Sequence, residues 1–418
     1  MNHDPKPSLS KRLKWRTEWL AQTSAEALVA RLPGAWVFRL GEWIGRLLWS
    51  VMRQRRIIVR KNLRIALAGL KPQEEIRDLA RQSFVRSVAN LLSAVHTAHL
   101  GADVLATRVN VENPEVLEDA IQNGKGCILL PPHMGNWEIL ARISRLFPPD
   151  RALGALYRPL NNPYLDARLT ERRRSEGTRM FSKRDSLLEI TRFLKSGGII
   201  GILADQRAGP QGVVGNFFGR LTRSSPLPYL LIRRCKVPAF SISVRTVRPG
   251  YWALRYHPVA APHDTQACMD AIEEAMRVSL IDVFWFQDRW KCYASRKTPI
   301  RAWLAGEDMR SQKHPHRALI WQVGMPSDES LPPDWQHPDV RYELALGEGQ
   351  APPPWASEGV TIHHVPASAH EKEIRVQLTR IGRSADLPLD FVLSPRPNAA
   401  LHRACRRAAL SHVSLPRA

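Results

Sequence analysis

The chain has 418 residues but only five cysteines, Cys127, Cys235, Cys268, Cys292 and Cys405, scattered without paired spacing. That pattern argues against a disulfide framework or a thiolate zinc site and points to a reducing compartment. No apolar run approaches the roughly 18 residues a transmembrane helix needs, so none is expected. The start, MNHDPKPSLSKRLKWRTEWL, is polar and charged and lacks the apolar core of a secretory signal. Helix-turn-helix, finger and RNP-type signatures are missing, as is a Gly-rich phosphate loop. Nucleic acid is therefore not the expected partner, although charge alone would allow it.

What the chain does have is a hydrophobic content of 44%, enough for a substantial core, and a formal charge of +22. The charge is lopsided. Residues 1–300 hold 47 Lys and Arg against 26 Asp and Glu, whereas residues 301–418 hold 14 against 13. A basic surface on the first part suits an anionic membrane or an acidic partner.

Along residues 34–56, Trp36, Leu40, Trp43, Ile44, Leu47, Leu48 and Val51 recur at helical spacing, with Arg39, Glu42, Arg46 and Arg53 opposite. Such a helix could lie among lipid headgroups, insert steeply with snorkelling arginines, or pack on the protein. Residues 72–98 read as a second amphipathic helix burying Phe84, Val88, Leu91, Leu92 and Val95. From 105 to 295, apolar β-rich runs (127–130, 199–203, 240–244 and 252–256) alternate with helical stretches at 136–146, 162–175, 184–195, 225–235 and 265–280. That rhythm predicts an α/β domain with a mostly parallel central sheet flanked by helices. Past residue 300 the proline count rises to 13 in 118 residues, against 19 in the preceding 300. Strand candidates at 317–323, 340–346, 360–365 and 390–394, with helices at 369–382 and 398–409, predict a small C-terminal α/β appendage. Residues 326–338 and 351–354 read as loops. The expected division is a helical membrane-associating region over 1–100, a catalytic domain over 101–300 and an appendage over 301–418.

The stretch CILLPPHMGNWEIL, residues 127–140, ends an apolar strand just before His133. Gly135 loosens the backbone, Asn136 is a good N-cap, and Trp137 and Glu138 would open a helix. With His133 in the loop and Glu138 in the first turn the two can meet. A carboxylate on one imidazole nitrogen leaves the other free to take a proton from a hydroxyl, and the helix N-terminus offers N–H groups to an oxyanion. The spacing departs from the HExxH zinc pattern.

Further clusters follow in order: YRPLNNPYLD at 157–166, ERRRSEG at 171–177, ILADQRAG at 202–209, VGNFFGR at 214–220 and WFQDRWK at 285–291. With the His-x4-Glu they resemble the lipid A biosynthesis acyltransferases, the late lauroyl/myristoyl enzymes of the lysophospholipid acyltransferase-like superfamily. The likeness runs over roughly residues 10–300 and takes in the upstream stretches 62–67 and 76–92. It implies a glycerolipid acyltransferase-like fold and an O-acyltransferase with His133 and Glu138 as its dyad. Arg158, Arg173 (with Arg172 and Arg174 as neighbours) and Asp205 fall on its substrate-binding positions. In this reading the arginines engage phosphates of the acceptor or donor, and Asp205 orders an arginine or a loop. The implied partners are an acyl carrier protein or acyl-CoA donor, an anionic glycolipid acceptor and the cytoplasmic face of a bacterial inner membrane. No metal or cofactor is required. Gln287 stands where the family often has histidine, and residues 301–418 lie outside the pattern. A phospholipid, aminolipid or glycosylated inositol lipid would serve the same chemistry as acceptor, and a silent membrane scaffold is the other alternative. His314/His316 and His363/His364 lack complementary ligands in sequence and read as surface or loop histidines rather than a metal site.

Overall fold

A computed structural model describes residues 8–142, 151–157, 159–174, 177–182, 187–209, 211–291, 314–325, 340–354, 356, 359–366 and 370–414. They form two compact units, one built from Met1–Leu48, Ser83–Asp205 and Pro226–Phe284, the other from Trp49–Gln82, Gln206–Ser225 and Trp285–Ala418.

The first unit holds a seven-stranded sheet of β1 (Val109–Val111), β2 (Cys127–Leu130), β3 (Leu153–Tyr157), β4 (Arg179–Ser182), β5 (Ile199–Ile202), β8 (Ala239–Arg248) and β9 (Tyr251–Pro258). Their order is β1-β9-β8-β2-β5-β3-β4, and only the β8–β9 pair is antiparallel. The central strand β2 is buried along its whole length, as its unbroken apolar run requires. Crossover helices α7 (Pro163–Arg174), α8 (Leu187–Lys195) and α9 (Leu227–Cys235) lie between successive parallel strands, while α10 (Thr265–Arg277) follows β9 and packs on β8 and β9. The mostly parallel α/β expectation therefore holds. Sequence reading passed over β1, β3 and β4, which are short or broken by glycine and polar residues.

The sequence left open which way the apolar stripe of residues 34–56 turns, and predicted that residues 72–98 bury theirs. In α2 (Gly34–Val51) the apolar stripe does not face the protein. Val37 and Phe38 are buried, while Trp36 and Trp43 stay 67% and 61% exposed, with Leu40 and Leu47 exposed beside them. Glycine sets the contact. A Cβ on Gly41 would lie 2.6 Å from the Ala89 backbone, and one on Gly45 2.9 Å from that of Val85, so both positions bring α2 against α4 (Gln73–Thr97). In α4, Leu91 is exposed and Val88, Leu92 and Val95 are only half-buried. Phe84 is buried as expected, and beside it the buried face carries Ser83, Ser87 and Asn90, at i, i+4 and i+7. Buried polar groups need partners, and these have them. Ser83 Oγ and Ser87 Oγ donate to the Val283 carbonyl at 3.0 and 3.4 Å. Asn90 Nδ2 donates to Asp282 at 3.2 Å and Asn90 Oδ1 accepts from Trp252 Nε1 at 3.0 Å. Among the described residues, no helix is long and apolar enough to cross a membrane.

The second unit contains α3 (Arg53–Ala66), the hairpin β6 (Val213–Phe217) and β7 (Arg220–Ser224), and the appendage. The appendage is a parallel five-stranded sheet ordered β12-β11-β10-β13-β14, from β10 (His316–Trp321), β11 (Val340–Gly347), β12 (Thr361–Val365), β13 (Phe391–Ser394) and β14 (Ser411–Ser414). Its helices α11 (Glu371–Ile381) and α12 (Ala399–Arg407) bury Ile374, Leu378, Leu401 and Cys405 on one sheet face. The expected loop 326–338 lies outside the described residues.

The histidine reading changes here. His316 is buried on β10, 3.3 Å from Asp390, and His363 on β12 lies 2.9 Å from Glu343. His363 hydrogen-bonds its carboxylate, while His316 sits at ion-pairing distance from Asp390. Glu343 also takes a two-pronged ion pair from Arg317, at 2.8 and 2.7 Å. Burial alone would raise its pKa, but the His363 and Arg317 hydrogen bonds hold the carboxyl down at about 2.

Candidate active site

Two adjacent parallel strands, β2 and β5, release their chains at the same edge of the central sheet. His133 follows β2 and Asp205 follows β5, so the topology brings together two residues 72 positions apart. His133 Nδ1 lies 2.7 Å from Asp205 Oδ1, and the His133 backbone N–H donates to Oδ2 at 3.1 Å. Each carboxylate oxygen thus meets His133, one at the ring and one at the backbone, fixing the two together. With Nδ1–H donating to Asp205, Nε2 is the nitrogen that would carry the lone pair. The imidazole keeps 19% of its surface accessible against 9% for Asp205.

Burial by itself would lower the pKa of His133. The charge and hydrogen bond of Asp205, helped by the charge of Glu138, outweigh it and hold the imidazole above its ordinary value. The residue that orients Nδ1 is therefore Asp205, the part expected of Glu138, and Glu138 contributes through its field. Sequence spacing favoured the carboxylate five residues away because it was near in the chain; β2–β5 pairing makes the distant one near in space.

The backbone around His133 is splinted. Phe284 N–H donates to the His133 carbonyl at 2.8 Å, Gly135 N–H donates to the Asp282 carbonyl at 2.8 Å, and Met134 forms an antiparallel bridge with Val283. Asp282 in turn accepts from Thr246 N–H at 3.0 Å and from Thr246 and Ser279 hydroxyls at 2.6 and 2.7 Å. Gly135 has φ +56°, and a Cβ there would lie 2.1 Å from the Val244 carbonyl oxygen, so glycine is required by conformation and by space. Trp137 sets its ring edge-on to the imidazole at 5.1 Å and leans on Phe284 at 5.6 Å. Asp282, Asn90 and Phe284 were missed in sequence. The available signal was the serine–serine–asparagine spacing on an otherwise apolar helix.

The helix expected over 136–146 is a five-residue 3₁₀ turn, Trp137–Ala141, with 143–150 outside the described residues. Asn136 does not cap it; its Nδ2 donates to Thr97 Oγ1 at 3.0 Å. So short a turn has little dipole to offer an oxyanion. Arg158 lies outside the described residues, and Arg173 stands in the last turn of α7. The YRPLNNPYLD motif has structural work: Asn162 accepts from Tyr164 N–H at 3.1 Å and donates to Trp15 O at 3.0 Å, while Asp166 accepts from Leu160 N–H at 2.8 Å. Cys127, inside β2, has its thiol pKa pushed up by burial and is no nucleophile.

In the second unit three other motifs interlock. Arg289, buried, donates to Thr222 Oγ1, Arg223 O and Ser224 Oγ at 2.8–2.9 Å. Gln287 Oε1 accepts from Arg207 N–H at 3.1 Å, and Asn62 Nδ2 donates to the Trp285 carbonyl at 2.9 Å. These motifs thus hold one another in place by packing.

A part-exposed histidine thus meets a buried carboxylate at the carboxyl edge of a mostly parallel α/β sheet. Residues 5–292 match the bacterial lipid A biosynthesis acyltransferase family, and the chain belongs to that family; it is an acyltransferase. It is also similar to the lipid A biosynthesis lauroyltransferase of Escherichia coli K12. The two are 28% identical over 276 residues, covering 63% of this chain and 88% of the relative.

Proposed function

We propose that the protein transfers a fatty acyl chain from an acyl carrier protein or acyl-CoA thioester to a hydroxyl of a lipid A precursor, with His133 as general base. The observation that carries this is the 2.7 Å contact from His133 Nδ1 to Asp205, which reserves Nε2 for the acceptor hydroxyl. Nε2 takes the hydroxyl proton as the oxygen attacks the thioester carbonyl. The C–O bond forms, the C–S bond breaks, and the imidazolium returns its proton to the departing thiolate. Asp205 steadies the imidazolium; Glu138 adds negative potential and favours the same charged form. Arg158 and Arg173 are assigned to phosphates of acceptor or donor.

The membrane supplies the acceptor. The outward row of Trp36, Leu40, Trp43 and Leu47 on α2, with Arg39 and Arg46 also exposed, suits a helix lying at the cytoplasmic face of a bacterial inner membrane. The excess of 47 basic over 26 acidic residues in 1–300 favours both anionic lipid and an acidic carrier protein. In this reading residues 1–100 associate with the membrane, 101–300 carry the reaction and 301–418 are an added module.

The test is an acyl-transfer assay in detergent or vesicles, offering labelled acyl carrier protein and acyl-CoA donors against a lipid A precursor and a panel of lysolipids. Acylation of the precursor is expected, falling at least about a hundredfold in His133→Ala with the fold unchanged by circular dichroism. Transfer only to another lipid would replace the acceptor, and an active His133→Ala enzyme would remove the base.

A further inference from the structure

The second unit contains a cavity of about 380 Å³ that acyl transfer leaves unused. One wall is a single face of α3, where Arg53, Arg56, Ile57, Arg60, Lys61 and Arg64 recur at helical spacing. Arg77, near the start of α4, and Arg383, just past α11, complete it, so seven cations line one small space with no lining carboxylate. The opposite wall is apolar, from Leu378, Pro388, Leu389 and Leu410.

The cations divide into two groups. Lys61 lies 3.3 Å from Asp288, and Arg64 spends its donors on the carbonyls of Gly382, Ala385 and Asp386. Lys61 also lies 4.0 Å from Asp390, so both cations hold α3 to the appendage. Arg53, Arg56, Arg60, Arg77 and Arg383 have no carboxylate within ion-pairing distance among the described residues. Arg56 and Arg60 lie 5.7 and 5.1 Å over the Trp49 ring, which pre-orders them, and Arg60 Nε is buried without a hydrogen-bond partner. Crowding is felt: burial, then repulsion from Arg56, Arg383 and Arg77, pulls the pKa of Arg60 down. Holding like charges together in a partly buried space is unfavourable unless an anion joins them. Guanidinium forks fit phosphate oxygens, and the volume is that of a small-molecule site.

We propose that this cleft binds a phosphate-bearing ligand of two or more negative charges, with Arg60, Arg77 and Arg383 on the phosphates and the organic part against Leu378 and Leu389. The site combines a helix of the acyltransferase region with the module beyond residue 292, and so gives that module a ligand-binding role. It does not depend on the acyl-transfer reading.

The test uses the full chain at low ionic strength, where screening is weak. Inorganic phosphate, pyrophosphate, a single-stranded oligonucleotide, and phosphatidylcholine vesicles with and without phosphatidic acid are titrated by calorimetry, thermal melting and vesicle flotation. Pyrophosphate should bind more tightly than phosphate. Arg60→Gln combined with Arg383→Gln should weaken it by about tenfold or more, the worth of losing charged hydrogen bonds. The same double variant should melt higher than the parent without ligand, since it relieves repulsion, whereas Arg64→Gln should melt lower. Binding confined to phosphatidic acid vesicles and lost in the double variant would keep the phosphate chemistry and make a lipid headgroup its source. Equal pyrophosphate affinity in parent and double variant, no response to any phosphate, or binding of the oligonucleotide alone would overturn the proposal.

Discussion

At the scale of the residue, the account turns on what sets the proton of His133. Burial disfavours the charged ring, while the charge and hydrogen bond of Asp205 and the charge of Glu138 favour it, and the carboxylates prevail. His133 was legible in sequence because it stands where a buried apolar strand ends. Its partner was legible only as a motif aspartate; the contact depends on β2–β5 pairing, which no local spacing encodes. Gly135 was read as a looser joint, and the structure gives a stronger reason, a left-handed φ and a carbonyl oxygen where a Cβ would go. Gly135→Ala should therefore displace the His133 loop at a cost above the ~1 kcal/mol of the conformational penalty alone. The expected readout is a lowered melting temperature together with acyl transfer reduced by an order of magnitude or more.

At the level of helices and strands, periodicity located α2 and α4, left open which way the α2 stripe turns, and placed Val88, Leu91, Leu92 and Val95 of α4 deeper than they lie. Hydrophobic pattern assumes that apolar faces turn inward. In α2 the glycines allow close approach and take the inner face, leaving tryptophans outside; in α4 a row of small polar side chains meets the 282–283 backbone. The strands that sequence found carry apolar runs, and those it missed in this sheet are the edge strands β1 and β4 and the glycine-interrupted β3. The outward stripe of α2 leads to a prediction at this scale. Trp36→Glu with Trp43→Glu should leave melting nearly unchanged, because both side chains are already exposed, and should sharply reduce flotation with anionic vesicles. Undiminished flotation would place membrane attachment on another surface.

At the scale of the whole molecule, charge and covalent continuity matter more than any one helix. The appendage was visible in sequence from its proline-rich change of character, yet its bonding to earlier segments was not. Asp390, fully buried before β13, forms ion pairs with Arg220 and with Lys61 and accepts from the Arg317 N–H at 3.0 Å. All of these belong to the second unit. Ending the chain at residue 300 would strip Arg220 and Lys61 of that carboxylate, so the truncated protein should be insoluble or unfolded. Asp390→Ala should likewise destabilise by ~3–5 kcal/mol, the usual cost of breaking a buried ion pair, measured by denaturant unfolding. A soluble, fully active fragment ending at 300 would show that the appendage is dispensable to the fold.

Whether Asp205 tunes His133 as a base is decided by the pH dependence of kcat/KM for acyl transfer in the parent and in Asp205→Asn. A base works when neutral, and a raised pKa delays neutrality, so the parent's rate should climb through a limb above the ordinary histidine value of about 6.5. Removing the Asp205 charge lets burial count for more, so the limb should move to lower pH while the plateau falls by about a hundredfold or more. An unshifted limb with an undiminished plateau would contradict the account.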